Sequence, residues 1–344
     1  MCKTHGATLN IPTILRSFAN DIAKRNKSLI NKLSLNEAIS MASFYFDTVT
    51  PIQAHFALQL QNEIVVSLGN TSQDGLSQQR PLSRTETLRF VRAVYRFQIL
   101  CHLINLLSGD DRQGRYRPIL ALSAIIKPWE VEELFLLYQF VHKTCKAVLE
   151  DIKWDIYPNK PKFDAQGRPP TPDGAFDLIE RWHMVNNVDN LALSGLSVLR
   201  TILFSIDTNR ETLITTVQQY LFRSFISLDS FPDGPLGGPA QTTRHMGTPS
   251  ERDRLQAAQT PVPSGRESVE AAPLAWTTIW SGTYSSVYRF FVPDQMRRWG
   301  YVFWDAERLE ESGICGLFKE EWERNGRVIR GNICPGSRRD LGVQ

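Results

Sequence analysis

Ser83-Arg-Thr-Glu-Thr-Leu-Arg-Phe-Val-Arg-Ala-Val-Tyr-Arg-Phe-Gln-Ile-Leu-Cys101 decides the fold class. It opens on a capping box, in which a serine hydroxyl takes an orphan amide of the first turn while a glutamate three residues on reaches back. Apolar residues then recur at helical spacing. Arg89, Arg92 and Arg96 fall at i, i+3 and i+7, one stripe of a helix over 84–107. Beyond Phe97 that helix is apolar nearly all round, relieved by Gln98, His102 and Asn105, so its second half belongs in a core.

The same start signal recurs. Ser34-Leu-Asn-Glu37 and Thr208-Asn-Arg-Glu211 repeat the box, and Thr50-Pro51-Ile-Gln53 places proline at a first helical position, where no amide is missed. Helices are predicted over 12–31, 35–46, 51–68, 84–107, 128–152, 174–189, 191–206, 209–228, 274–290, 294–311 and 315–324. No useful alternating strand pattern and no repeat of 20 to 50 residues interrupts them. The chain therefore reads as all-α: a single irregular multi-helix domain over 35–325, after a basic region at 1–34 and before a flexible basic tail at 326–344.

Two segments stand apart. Residues 153–173 carry five prolines and read as a long irregular connection. Residues 231–273 are rich in Pro, Gly, Ser, Thr and Gln, with Phe231 their only aromatic, and cannot bury enough apolar surface to offset ordering entropy. They read as a disordered insertion. Within it Thr248-Pro249 and Thr260-Pro261 are candidate proline-directed phosphorylation sites, where added charge could dock onto arginines.

Composition narrows the function classes. A net charge of +3 over 344 residues is too small to imply a polyanionic partner, which disfavours nucleic acid. The longest apolar run, Leu191 to Ile206, contains Arg200 and is too short to span a bilayer, so no membrane role is expected. Five scattered cysteines with no CxxC pair read as reduced thiols of a cytoplasmic or nuclear protein. The basic character up to Glu37, opposed only by Asp21, leaves a mitochondrial presequence as the alternative to an ordinary amphipathic helix.

Catalytic patterns fall short one by one. Asp110-Asp111 lacks the further acid of a magnesium–diphosphate motif, and Asn190-Leu-Ala-Leu-Ser194 lacks the acidic partners of a second one. Glu180-Arg-Trp-His183 is half of a di-iron signature whose other half is absent. His142 and Cys145 share a helical face, but zinc needs three or four ligands. No GxSxG, GxxxxGK[ST] or GxGxxG appears. No catalytic, cofactor-binding or metal-binding residue is assigned.

What remains is surface and pairing. In 294–311, read as one helix, Trp299, Val302, Phe303, Ala306 and Leu309 form a core stripe, and Trp304 falls on the other side with Tyr301 and Arg308. Trp304 and Arg308 are spaced for a cation–π contact. Tyr301, Trp304 and Arg308, with Arg89 and Arg92, make the candidate surface for an unknown protein partner, since these residue types anchor interfaces. Glu130 projects to the apolar side of 128–152 and needs a cation there, with Arg96 the candidate partner. The competing reading is an enzyme or small-molecule binder whose pocket gathers His102, His183 and Glu130.

Arg92-Ala-Val-Tyr-Arg-Phe-Gln-Ile-Leu-Cys101, Pro128-Trp-Glu-Val-Glu-Glu133 and Trp299-Gly-Tyr-Val-Phe-Trp-Asp305 with Arg308-Leu309 resemble the helical region of a broad group of fungal proteins, many of them described as F-box-domain-containing. The resemblance spans roughly residues 50–320, interrupted at the insertion. It implies a helical scaffold and carries over no catalytic residue. In F-box members a short N-terminal module recruits a ubiquitin-ligase scaffold and the other helices present a target. That module opens with Leu-Pro; here Ile11-Pro12 begins a stretch that turns basic through Lys32 and lacks the rest of the pattern.

Overall fold

The computed structural model describes residues 34–68, 80–106, 126–153, 155–156, 181–205, 209–221, 268–280 and 292–332. Within these the chain is 82% helical and contains no strand, so the all-α reading holds. The expected helix at 12–31, Asp110, Asp111, Thr248 and Thr260, and most of both irregular segments, lie outside the described residues.

The helices are α1 (Leu35–Phe44), α2 (Thr50–Leu68), α3 (Arg84–Leu106), α4 (Pro128–Ile152), α5 (Arg181–Ala192), α6 (Leu196–Ser205), α7 (Arg210–Leu221), α8 (Leu274–Trp280), α9 (Asp294–Arg298), α10 (Ala306–Glu311) and α11 (Ile314–Asn332). Both arms of the box at Ser34 close: Glu37 N donates to Ser34 Oγ at 3.3 Å, and Ser34 N donates to Glu37 Oε2 at 2.8 Å. The box at Ser83 closes the same way, at 3.1 and 2.9 Å.

Thr50 departs from its expected role. A π-helical turn over Tyr45–Val49 carries α1 straight into α2, and Thr50 Oγ1 donates to Tyr45 O at 3.0 Å instead of capping. A proline inside a helix lacks a donor and crowds the carbonyl four residues back, and the wider turn before Pro51 accommodates both. Asn209 is the cap of α7, its Oδ1 accepting from Thr212 N at 3.0 Å.

By proximity the helices group into two compact units whose segments alternate along the chain. The first takes its described residues from Met1–Ile52, Tyr95–Lys127 and Val141–Leu228; the second from Gln53–Val94, Pro128–Phe140 and Asp229–Gln344. In the first unit α7 packs on α5 and α6, and α6 meets the π-helical turn. Phe97, Leu100, Ile104, Val148, Leu199, Ile202 and Val217 are buried there. The turn between α5 and α6, predicted at 190, comes at 193–195. Gly195 adopts φ +104°, and Asn105 Nδ2 and Gln98 Oε1 bind Leu193 O and Leu196 N at 3.2 and 2.8 Å.

The second unit contains the largest correction. Residues 294–311 are not one helix: α9 stops at Arg298, and 299–305 form tight turns before α10. Gly300 sits at φ +66°, and a Cβ there would collide with the Leu60 side chain, so the position demands glycine twice over. Asp305 restarts the helix as its N-cap, accepting from Arg308 N at 2.8 Å. With the helix broken, Tyr301, Val302, Phe303 and Trp304 all point inward and none is left for a solvent face.

Candidate functional site

In the second unit α3 sets Glu86, Arg89 and Arg92 on successive turns of one side, and α4 contributes Glu130, Glu132 and Glu133 from its first turns. All but Arg92 are buried, and Arg92 is nearly so. Fully buried charge survives only when paired and hydrogen-bonded. The turn at 299–305 and its flanking helices supply what is needed.

Arg308 grips Glu86 with two parallel bonds, Nε to Oε1 at 2.7 Å and Nη2 to Oε2 at 2.8 Å. Glu86 also accepts from Asp305 N at 3.2 Å and keeps its bond to Ser83, so one carboxylate caps α3 and anchors the start of α10. Arg89, without exposed surface, donates through Nη1 to Trp304 O at 2.9 Å and Phe303 O at 3.4 Å. The rings behind it lock together: Phe90 stacks on Phe303 at 4.3 Å, and Trp304 Nε1 donates to Trp299 O at 2.6 Å.

Arg92 ties three pieces of chain. It holds Glu133 with Nε–Oε2 and Nη2–Oε1 distances of 3.1 and 2.6 Å, lies 3.0 Å from Glu130 Oε1, and donates to Val269 O at 2.8 Å. Burial opposes the Arg92 charge, but Glu133, Glu130 and Glu270 together hold its pKa above the usual value. Burial pushes Glu133 above the ordinary carboxylate range despite Arg92 and Arg89. Arg297 completes the set, its Nε 2.9 Å from Glu132 Oε1 and its guanidinium 4.8 Å from the Phe135 ring centroid.

The interface patch expected from Tyr301, Trp304, Arg308, Arg89 and Arg92 is therefore an interior. Trp304 and Tyr301 have no exposed surface. Arg308 does lie 5.3 Å from the Trp304 ring centroid, but inside the fold with Glu86 as its counter-ion. Glu130 meets a guanidinium as its position requires, and Arg92 supplies one. Arg96, the partner that spacing singled out, belongs to the stretch of α3 in the first unit.

The first unit holds a different arrangement. On α5, Asn186, Asn187, Asp189 and Asn190 are all buried. His142 Nε2 stands 3.5 Å from Asp189 Oδ1. Burial, and then Lys146, lowers the imidazole pKa, which favours the neutral ring. Cys145 lies near the same carboxylate, buried like Cys101, and desolvation raises both thiols far above the range of a nucleophile. No metal-binding cluster occurs among the described residues. His102 is exposed and bonded to Gln98 at 2.7 Å; it belongs to the first unit and Glu130 to the second, and the His183 side chain lies outside the described residues.

Set against family models, curated proteins and solved structures, the chain matches none. No described helix is long and apolar enough to cross a membrane.

Sequence reasoning overlooked Glu132, Glu133 and Arg297 as site residues and read Glu86 only as a capping arm. The closely spaced acids Glu130, Glu132 and Glu133 in one helical start were a usable signal, because several carboxylates there demand either water or arginines. The buried amides of α5 gave no such sign.

Proposed function

We propose that this protein is a non-enzymatic helical scaffold for protein interaction and that the element it presents is α1. One observation carries this: α1 buries no side chain, while Leu35 is 75% exposed, Ile39 53% and Met41 57%, with Phe46 just beyond it at 67%. Leu35, Ile39 and Ala42 fall on one side at the spacing by which a helix enters an apolar groove. Exposed apolar surface of this kind marks contact sites. The Trp304–Arg308 patch has no part in this reading, because its groups are spent on one another.

The resemblance to F-box-containing proteins would make the partner a ubiquitin-ligase scaffold, with α1 standing on the N-terminal side where such proteins recruit it. Affinity purification of the full chain tests both points. Ile39→Asp combined with Phe46→Asp should lose specific partners that the parent retains, while the helical circular-dichroism signal stays unchanged. Identical partner sets for the two proteins would defeat the reading; recovery of a ligase scaffold by the parent alone would make the chain an adaptor.

A second reading, a small-molecule binder assembled from several helices, draws support from the buried α5 amides.

A further inference from the structure

We propose that α1 pairs with the α1 of a second copy of this chain, the two helices running antiparallel about a two-fold axis. This rests on the reading of α1 as the presented element and names its partner. Every residue from Ser34 to Ser43 is exposed, so the helix is open to approach along its length. Leu35, Ile39, Ala42 and Phe46 follow at intervals of four, three and four residues, and all four are exposed. That alternation is the seam of a two-helix coil, and it keeps the four side chains within about 60° of one another around the axis.

Two features select a like helix as the occupant. The first is volume. With the two-fold axis between Ile39 and Ala42, antiparallel helices set Ile39 opposite Ala42 of the second copy, and Leu35 opposite Phe46. A small side chain then receives a large one, as close packing requires. Parallel helices would set Ala42 against Ala42 and leave a gap. The second feature is charge. Asn36, Ala38, Ser43 and Tyr45 flank the seam and carry none, so two copies meet without the like-charge contacts by which charged helices reject themselves. A foreign helix edged with lysine or arginine finds no counter-ion there, since Glu37 and Asp47, the only charged side chains from Ser34 to Ile52, both lie outside those flanks.

Size sets the strength. A seam about 18 Å long covers well under the roughly 800 Å² per partner of a standard stable interface. The pairing is therefore weak and reversible, and it forms as the protein becomes concentrated. One patch meeting its own copy about a two-fold axis closes on itself, which gives a dimer and not an open chain.

Sedimentation equilibrium of the full chain, from low micromolar to near-millimolar concentration, tests this. The mass should rise from that of one chain towards that of two. Ile39→Asp with Phe46→Asp should hold it at one chain throughout, with the helical circular-dichroism signal unchanged, because α1 buries no side chain. Ile39→Ala should weaken pairing about tenfold or more. Adding Ala42→Ile to that variant exchanges large and small across the axis and should restore the dimer. A parent that keeps the mass of one chain at every concentration overturns the pairing, as does a dimer that survives the double aspartate variant. Capture of a foreign protein through Ile39 and Phe46 by a strictly monomeric parent would leave the scaffold reading standing and this one fallen, so the two fail separately.

Discussion

Both units bury polar groups, and the groups differ in kind: ion pairs dominate the second, and neutral amides the first. In the second, Glu86, Glu130, Glu132 and Glu133 each meet a guanidinium, and Arg89 meets two carbonyls. In the first, Asn186 and Gln218 end in atoms that meet nothing. The contrast follows from the cost of burial. An unpaired charge is too expensive to keep inside, so the arginines and glutamates had to be matched, whereas a neutral amide can be left open at a cost a domain tolerates. Paired charge makes the second unit the more sensitive of the two to single substitutions.

The comparison can be broken most directly at Glu86. Glu86→Ala strands Arg308 and uncaps α3, and should lower stability by about 3–5 kcal/mol, read from chemical denaturation. A loss near zero would mean that the network is dispensable. Gly300→Ala comes next: the left-handed backbone and the clash with Leu60 should together cost about 2–3 kcal/mol. Pairing it with Leu60→Ala should recover the steric part only.

Glu133 gives a test with a sign. Its folded-state pKa is raised by burial, so the folded state holds the proton more tightly than the unfolded chain. Unfolding free energy therefore falls as pH rises from the ordinary carboxylate range through the raised value. Relative to Glu133→Gln, the parent should gain stability on mild acidification from neutral pH, in denaturation curves collected across that range. A gain in the opposite direction would show that Arg92 outweighs desolvation.

At the open end of the comparison, effects should be small. Asn186→Leu should change stability by no more than about 1 kcal/mol in thermal unfolding, since an apolar group in place of an unmet amide is close to neutral. Ile39→Asp on α1 should change it by less than about 0.5 kcal/mol, because α1 buries no side chain.

How much of this was legible beforehand depends on whether the deciding contact was local. The serine–glutamate boxes are local, and α1, α3 and α4 start where those or the Pro128-Trp-Glu run put them. The stretch 294–311 was misread because apolar spacing continued across a break. Gly300 and Asp305, a stop and a restart five residues apart, were visible and outvoted by the tryptophans. The arginine stripe was read correctly as a face but not as an inward one, since Glu133 and Trp304 are 41 and 215 residues distant from Arg92 and Arg89. The run Asn-Asn-Val-Asp-Asn looks like a solvated face, and nothing in its spacing says otherwise.

The bond from Arg89 to Trp304 carries a consequence for synthesis. At about 5–20 residues per second, a ribosome needs roughly 10–40 s to travel from that arginine to the tryptophan whose carbonyl receives it. Through that interval the emerging polypeptide carries a guanidinium destined for a dry interior and no acceptor to meet it. Completion of the second unit thus waits for the aromatic turn to be synthesised, and a chain terminated before that turn should be handed to chaperones or proteases.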